Sequence, residues 1–592
     1  TEFYAFFHYG MNTYTGKEWG NGDEDVNRFA PTAKPDPRQW LEAVKEAGMT
    51  GGIAVVKHHD GFCLWPTETT DHKSSNSSSP NAQVNIAELF AKAAQDLKMK
   101  YGFYVSPWDR NSGLYGTDSY VKDVFLKQCA ELAKYGSDQF EMWFDGANGG
   151  DGYYGGKYTK INIDRATYYD VPNLRDSIHK LSPNIILWGV GGEARWIGNE
   201  DGWAGETNWS NENRGFAPER NGMYGTENGW FWLPGESDAK FTDKGWFWHP
   251  GCQPMSAERT FQMYLETVGR NATLILNCPP DQSGKIPENQ VKRLKEFGTM
   301  LKSRFNINLA KTATVEATNT RSNGATRTYV VNNLIDENPD TYWAAEDDVK
   351  DVTLTFKWNS PQTVRYVTLQ EYVRLGQRVK GFSIEYTTDG STWKPLANKV
   401  KQTTIGYKRI ICISPVETDA IRLKITKSKD VPCLAEVAAY LAPELVDAPE
   451  AYRNEADQLI IRGASPRHKL SYRIGKGKWQ SYTGPVQIPS DHVTVSVMAD
   501  SGTDKAEKTI RFGYSAKNIQ VDSLPAAQHK ALFDGNGYTT VRFKKAESVL
   551  NFNLSKPSLV SSFVYTPTQH RDAQGHIQKY RLYADNQLVA EG

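Results

Sequence analysis

The chain contains no run of 18 apolar residues, so nothing in it reads as a membrane span. It has no charge surplus: Lys+Arg and Asp+Glu are both 69 in 592 residues. That argues against nucleic acid or an anionic membrane as a partner, since both need a basic excess. There is no Cys-x-x-Cys and no paired spacing among the six cysteines (63, 129, 252, 278, 412 and 433), which read as buried free thiols. No signal peptide is visible. Thr1 starts almost directly on a strand-like run, as expected of a mature or trimmed chain. What is abundant is aromatic surface. Seventeen Trp and 30 Tyr exceed the needs of a core, and their faces suit sugar rings.

The length implies more than one domain. From residue 1 to about 305, strand-like runs alternate with amphipathic helical patterns. The runs are 3–9, 52–57, 101–106, 140–145, 185–190 and 273–277. The helical patterns are 37–48, 85–99 (opened by Asn85 as a cap), 120–135 and 169–181. Such alternation predicts a parallel sheet, and eight units close a (β/α)₈ barrel. Six strands are legible. Residues 191–260, rich in Gly and Trp, read as extended loops after the fifth to seventh strands. The expected catalytic barrel covers 1–307. Past Asn308 the texture becomes all-β, with jelly-roll and immunoglobulin-like sandwiches expected at 308–441, 442–515 and 516–592. An internal repeat supports this: Leu334-Ile335-Asp336-Glu337-Asn338 is echoed by Leu532-Phe533-Asp534-Gly535-Asn536.

Chemistry concentrates where strands end. Gln139-Phe140-Glu141-Met142-Trp143-Phe144-Asp145-Gly146 is an apolar run that delivers one carboxylate to a Gly-rich loop. In a barrel that position faces the pocket mouth. Lys57-His58-His59-Asp60-Gly61 closes the second strand and Phe6-Phe7-His8-Tyr9-Gly10 the first. Neighbouring histidines alternate sides, so one can face the mouth and its neighbour pack. Neutral imidazoles there would hydrogen-bond sugar hydroxyls. No third ligand falls at a zinc-like spacing, so no active-site metal is expected. Glu18, Trp19, Trp65 and Tyr104 add a carboxylate and ring faces beside the histidines. A glycosidase needs two carboxylates, about 5–5.5 Å apart for retention and farther apart for inversion. Candidates for the second are Glu193, Glu200 and Glu206, in aromatic surroundings that would raise a carboxyl pKa.

These motifs carry a family resemblance. Residues 3–305 resemble the α-L-fucosidases of glycoside hydrolase family 29. The shared motifs are His-Tyr-Gly (8–10), Lys-Glu-Trp (17–19), Lys-His-His-Asp-Gly-Phe (57–62), Tyr-Val-Ser-Pro-Trp-Asp (104–109), Trp-Phe-Asp-Gly (143–146), Trp-Phe-Trp-His-Pro (246–250) and Leu-Asn-Cys-Pro-Pro (276–280). The chain departs from the pattern in a long Gly/Tyr insertion after Asp145. The resemblance implies a retaining mechanism with Asp145 as nucleophile and no cofactor for catalysis. His8, Glu18, Trp19, His58, His59, Tyr104 and Trp143 would then line the fucose site, with Trp65 beside His59. The Arg-Trp-Ile-Gly-Asn-Glu segment (195–200) resembles the branch that cuts α-1,3/1,4-fucosyl linkages, which puts the acid/base role on Glu200 ahead of Glu193. Seven Trp between 196 and 248, with Glu206, Glu236 and Asp238 among them, suggest a place for a second sugar of a Lewis-type branch; Trp232 and Glu236 are expected substrate contacts. Residues 308–441 resemble a discoidin-like, family-32-type carbohydrate-binding module, for which a structural calcium in the Asp336–Asp340 loop is an expectation. Residues 442–515 look immunoglobulin-like, and 516–592 like part of a second discoidin-like module. The expected protein is a secreted or periplasmic exo-α-L-fucosidase acting on fucosylated oligosaccharides or glycoproteins. The alternative is a non-catalytic protein that binds fucosylated glycans.

Overall fold

The computed structural model describes residues 2–189, 192–213, 222–396, 400–441, 446, 448–463, 468–502, 505–534, 539–560, 562–568 and 576–592. Eight parallel strands form the first sheet: β1 (Phe3–Phe7), β2 (Gly51–Lys57), β3 (Lys100–Val105), β4 (Glu141–Phe144), β5 (Ile186–Gly189), β6 (Arg195–Trp196), β7 (Gly235–Lys240) and β8 (Ala272–Asn277). Their order is β5-β4-β3-β2-β1-β8-β7-β6. A single parallel bridge between Trp188 and Ala194 brings the two end strands together, so the barrel is nearly closed. Side chains alternate across each strand. Tyr4 and Phe6 of β1 therefore join Ile53, Val55, Tyr104, Trp143, Trp188 and Ile275 inside. Phe3, Ala5 and Phe7 face outward into the shell of helices.

That shell comprises α1 (Pro37–Glu46), α2 (Ile86–Leu97), α3 (Leu126–Ala133, entered through a π-helical turn at Tyr120–Phe125), α4 (Val171–Leu181), α5 (Ala257–Thr267) and α6 (Glu288–Arg304). Local chemistry sets the starts. Asp36 accepts the Gln39 amide with Pro37 in the first turn, and Asn85 accepts the Glu88 amide as its sequence position implies. Among the described residues no helix follows β5 or β6. The stretch read as loops holds the two strands the sequence concealed. Gly-Glu-Ser-Asp-Ala-Lys of β7 is too polar to look like a buried strand, and β6 is two residues long.

The second unit is antiparallel: β9 (Thr314–Ala317), β10 (Trp343–Ala344), β11 (Val352–Glu371), β12 (Val379–Thr387), β13 (Lys394–Pro395), β14 (Arg409–Ser428) and β15 (Cys433–Tyr440). They run in the order β10-β15-β11-β14-β12-β13, with β9 on β11. Alternate residues such as Leu354, Phe356, Leu369, Ile384, Leu423 and Ile425 fill its core. Between Glu450 and Phe512, a three-stranded and a four-stranded sheet pack around Leu459, Ile461, Tyr472, Val495 and Val497. Residues 442–445, at the start of that expected unit, lie outside the described residues, as do Gly535 and Asn536 of the repeat. Among the described residues beyond 515 the chain forms a helix (Ala526–Phe533) and two small ribbons. All six cysteines are free, and five are buried; Cys412 is exposed, against expectation.

The unit built on β9–β15 covers the barrel flank beside β6 and its loops. Asn208 N–H donates to Thr404 Oγ1 at 2.9 Å, and Gln377 Nε2 donates to Asn208 O at 2.9 Å. Arg409, 2% exposed, donates from Nη1 to Glu206 O at 2.8 Å. The Tyr407 amide donates to Asn271 Oδ1 at 2.7 Å.

Candidate active site

The C-terminal ends of the barrel strands bring a dense polar cluster together. His8, just past β1, contacts Asn277 at the end of β8, Nδ1 to Oδ1, at 2.7 Å. Asn277 Nδ2 donates to Trp246 O at 2.6 Å, so its Oδ1 is the carbonyl oxygen and His8 Nδ1 must donate. Burial pulls the His8 pKa down to about 3, so the ring is neutral and its Nε2 is an acceptor. His59 has a similar arrangement. Ser106 Oγ donates to Trp108 O at 2.7 Å and therefore accepts from His59 Nδ1 at 2.6 Å. His59 Nε2 faces Asp145 Oδ2 at 3.9 Å. His58 stacks on Tyr104, rings 5.7 Å apart, and burial with His59 beside it holds its pKa well below the usual range.

Glu18 is anchored from the other rim. One oxygen accepts His249 Nε2–H at 2.8 Å, the other the Trp246 amide at 2.7 Å. The approach is so close that a Cβ on Gly245, at φ +67°, would sit 2.0 Å from Glu18 Oε1, so the loop needs glycine there. Trp19 sets its edge on His59 (4.7 Å between centroids) and on Trp108 (5.3 Å). Trp143 lies between Tyr104 (5.2 Å) and Trp188 (3.7 Å), forming a stacked aromatic wall inside the barrel.

Asp145 follows β4. Its Oδ2 accepts the Tyr104 hydroxyl at 2.9 Å and its Oδ1 the Ala147 amide at 2.7 Å. Those bonds fix the carboxylate's orientation while leaving its side chain 27% exposed. Glu200 stands on the loop after β6. Its Oε2 accepts Trp246 Nε1–H at 3.2 Å and lies 4.0 Å from Lys240 Nζ. Desolvation raises its pKa, Lys240 and Trp246 oppose the rise, and the charges of Asp145 and Glu18 add to it. Asp238, pointing inward from β7, is a third carboxyl. Trp196 Nε1–H donates to it at 2.8 Å, and burial next to Glu200 and Asp145 pushes its pKa up to about 8. Near neutral pH it holds a proton.

Nine of the twelve expected site residues converge here: His8, Glu18, Trp19, His58, His59, Tyr104, Trp143, Asp145 and Glu200. Three lie elsewhere. Trp65 is 1% exposed in the outer shell, where its Nε1–H donates to Glu131 Oε2 of α3 at 2.8 Å. Glu236 belongs to the barrel floor, because it stands at the start of β7; Tyr4 at the start of β1 donates to it at 3.0 Å. Trp232 precedes β7, near that same floor, on an exposed ribbon with Glu212 and Asn211. The Trp-rich stretch thus splits: Trp209 packs under Lys429 of the β-unit at 4.5 Å, whereas Trp196 and Trp246 reach Asp238 and Glu200 at the strand ends. Glu206 points to the β-unit too, 3.8 Å from Arg409. Glu193 is bound by the Leu187 amide at 2.8 Å and lies 3.3 Å from His179, away from the cluster.

Comparison with known proteins agrees with this geometry. The family model described as alpha-L-fucosidase matches residues 4–306, and that for the F5/8 type C domain matches 314–438. The chain belongs to the α-L-fucosidase family. It is a glycoside hydrolase carrying a discoidin-like domain. The fucosidase chain is 34% identical to Alpha-L-fucosidase 1 of Arabidopsis thaliana over 74% of its own length and 84% of the relative. A family 29 glycoside hydrolase from an unknown rumen bacterium superposes with a TM-score of 0.66 at 32% identity, covering 86% of this chain and 92% of that one. A Ruminococcus gnavus family 29 fucosidase solved with fucose gives 0.65 at 30% identity, covering 75% and 93%. Sequence reasoning missed Lys240, His249 and Trp188, and named Asp238 as a contact for a second sugar, not as the inward carboxyl beside Glu200. Only the strand alternation of β7 could have signalled Asp238, and that strand was not recognised.

Proposed function

We propose that the enzyme is a retaining exo-α-L-fucosidase that removes fucose linked α-1,3 or α-1,4 on branched, Lewis-type glycans. The observation that carries the reaction is the pairing of Asp145, oriented by Tyr104 and Ala147, with the half-exposed, pKa-raised Glu200. Asp145 attacks the anomeric carbon as the bond to the leaving oxygen breaks, and Glu200 gives that oxygen its proton. Glu200 then takes a proton from water, whose oxygen displaces Asp145 and releases fucose. The Nε2 atoms of His8 and His59 accept sugar hydroxyls, and the Trp143 wall receives the ring's apolar face. The linkage preference rests on the segment 195–200 and on Trp196, Trp203 and Trp246 near Glu200. The test compares kcat/KM on Lewis a or Lewis x trisaccharide, on the same glycan lacking galactose, and on 2′-fucosyllactose. Marked preference for the complete branch is expected, and equal rates on all three refute it. A secreted or periplasmic location fits a glycan substrate; among the described residues no helix is long and apolar enough to cross a membrane.

A structural calcium in the discoidin-like domain belongs to the same proposal. Glu436 is buried, its Oε1 has no hydrogen-bond partner, and burial beside Asp336 and Glu337 pushes its pKa up to about 8. A cation held by Glu436, Asp336 and backbone oxygens of the loop would relieve that charge. Its role there would be structural.

A further inference from the structure

A second cavity opens on the strand-end face, separate from the cluster around Asp145. Loops after β2, β3 and β4 enclose about 490 Å³. That lies within the ~300–1,000 Å³ typical of small-ligand sites. Thr70, Asp71, His72, Asn111, Ser112 and Tyr153 are among the residues that line it. We propose that this cavity is a second saccharide pocket that takes one neutral pyranose ring.

Three observations carry the proposal. First, His72 is 7% exposed, yet its Nε2 has no hydrogen-bond partner. A buried polar nitrogen left unsatisfied is costly, and a ligand hydroxyl in the cavity would meet it. The His72 backbone amide donates to Thr70 Oγ1 at 3.1 Å, and the imidazole packs edge-to-face with Phe62, centroids 5.2 Å apart. Second, the lining excludes other ligand classes. No Lys or Arg lines the cavity, so it is not built for phosphate or carboxylate. Asp109, which also lines it, is already committed: Lys57 Nζ lies 2.9 Å away, and the Asn111 and Ser112 amides bind its Oδ1 at 3.0 and 2.9 Å. Among the described residues no group of three His, Cys, Asp or Glu side chains converges as a metal site. Hydroxyls, an amide, a neutral imidazole and a tyrosine suit a polyol. Third, the pocket is built on the active site's own wall. Trp108, whose ring lies 5.2 Å from His59, directly precedes Asp109, and Arg110 N–H donates to His59 O at 2.9 Å. A sugar seated there would belong to a distal unit of the glycan being cleaved or to a neighbouring chain.

The test uses the full-length enzyme and two independent plugs, Thr70→Trp and Ser112→Trp, with His72→Phe to remove the nitrogen at nearly constant shape. Binding of N-acetyllactosamine, which carries no fucose, is followed by ligand-detected NMR with saturating fucose present. Wild type should show binding that fucose does not displace, and each plug should weaken it about tenfold or more. Thermal unfolding and turnover of an aryl α-L-fucoside should stay close to wild type in the plugs. Lower kcat/KM on extended fucosylated glycans alone would place the sugar on the substrate; unchanged kcat/KM with lost binding would place it on a neighbouring chain. Binding that is absent, competed away by fucose, or equal in folded plug variants overturns the proposal. Because binding is read without turnover, the outcome does not depend on whether the fucosidase reading holds.

Discussion

Replacing Glu236 with Gln probes the barrel floor. Tyr4 donates to Glu141 Oε2 at 2.5 Å and lies 3.0 Å from Glu236 Oε2, so two carboxyls and a phenol share one buried site. Burial pushes the Glu236 pKa from 4.5 up to about 7 and holds Glu141 well above the usual range, with Glu236 adding to that rise. The folded state therefore binds protons more tightly than the unfolded chain does. The stability this confers is fully present below about pH 4.5 and is lost as pH rises through about 7. At about 1.4 kcal/mol per unit, the loss is about 3 kcal/mol. Glu236→Gln carries no charge to bury and keeps that stability. For a barrel of this size, about 3 kcal/mol corresponds to roughly 5 °C in Tm. Thermal unfolding of wild type and variant from pH 5 to pH 9 is the assay, with kcat/KM on an aryl α-L-fucoside alongside. The two Tm values should nearly coincide at pH 5 and separate in the variant's favour towards pH 9, while kcat/KM stays within about twofold. A pH-independent Tm difference together with a collapse of kcat/KM would show that Glu236 touches substrate and that the floor assignment is wrong.

Asp145→Asn should fold normally and lose about three or more orders of magnitude in kcat, about 4 kcal/mol or more; near-wild-type turnover in a clean preparation would remove it as nucleophile. Glu200→Ala should slow substrates with poor leaving groups most and be partly rescued by azide as a β-fucosyl azide, whereas Glu193→Ala should do neither; the reverse pattern would exchange their roles. Because Lys240 opposes the rise of the Glu200 pKa, Lys240→Met should move the alkaline limb of kcat/KM to higher pH; an unmoved limb would detach that limb from Glu200. Chelation should lower the Tm of the discoidin-like domain and added calcium restore it, with Glu436→Gln blunting the response; a Tm indifferent to both would remove the calcium.

The sequence made the first half of the barrel legible and the second half obscure, for a physical reason. Strands β1 to β4 are buried on both faces and carry long apolar runs that end in His8, His58, Tyr104 and Asp145. Strand β7 turns Glu236, Ser237 and Asp238 into buried sites, so hydropathy hides it. Missing β7 erased the distinction between its two ends. Glu236 at the floor and Asp238 in the site then looked alike, and Trp232 seemed to belong to the mouth. Trp65 was misread because proximity to His59 in sequence says nothing about which side of the barrel wall a ring takes. The places of Asp145 and Glu200 in the cluster are legible from their flanking motifs rather than from periodicity.

The flank sealed by the discoidin-like domain has a consequence in time as well as space. Asn208, Asn271 and the Glu206 carbonyl are satisfied by Thr404, Gln377, Tyr407 and Arg409, which emerge from the ribosome a hundred residues or more after the barrel's last strand ends with Asn277. During synthesis the barrel must wait with β6, β7 and their loops unsealed until the discoidin-like domain has been made. The nascent enzyme therefore passes through a stage in which β1 to β4 with Asp145 are made while the flank that carries Glu200 and Asp238 is still uncovered.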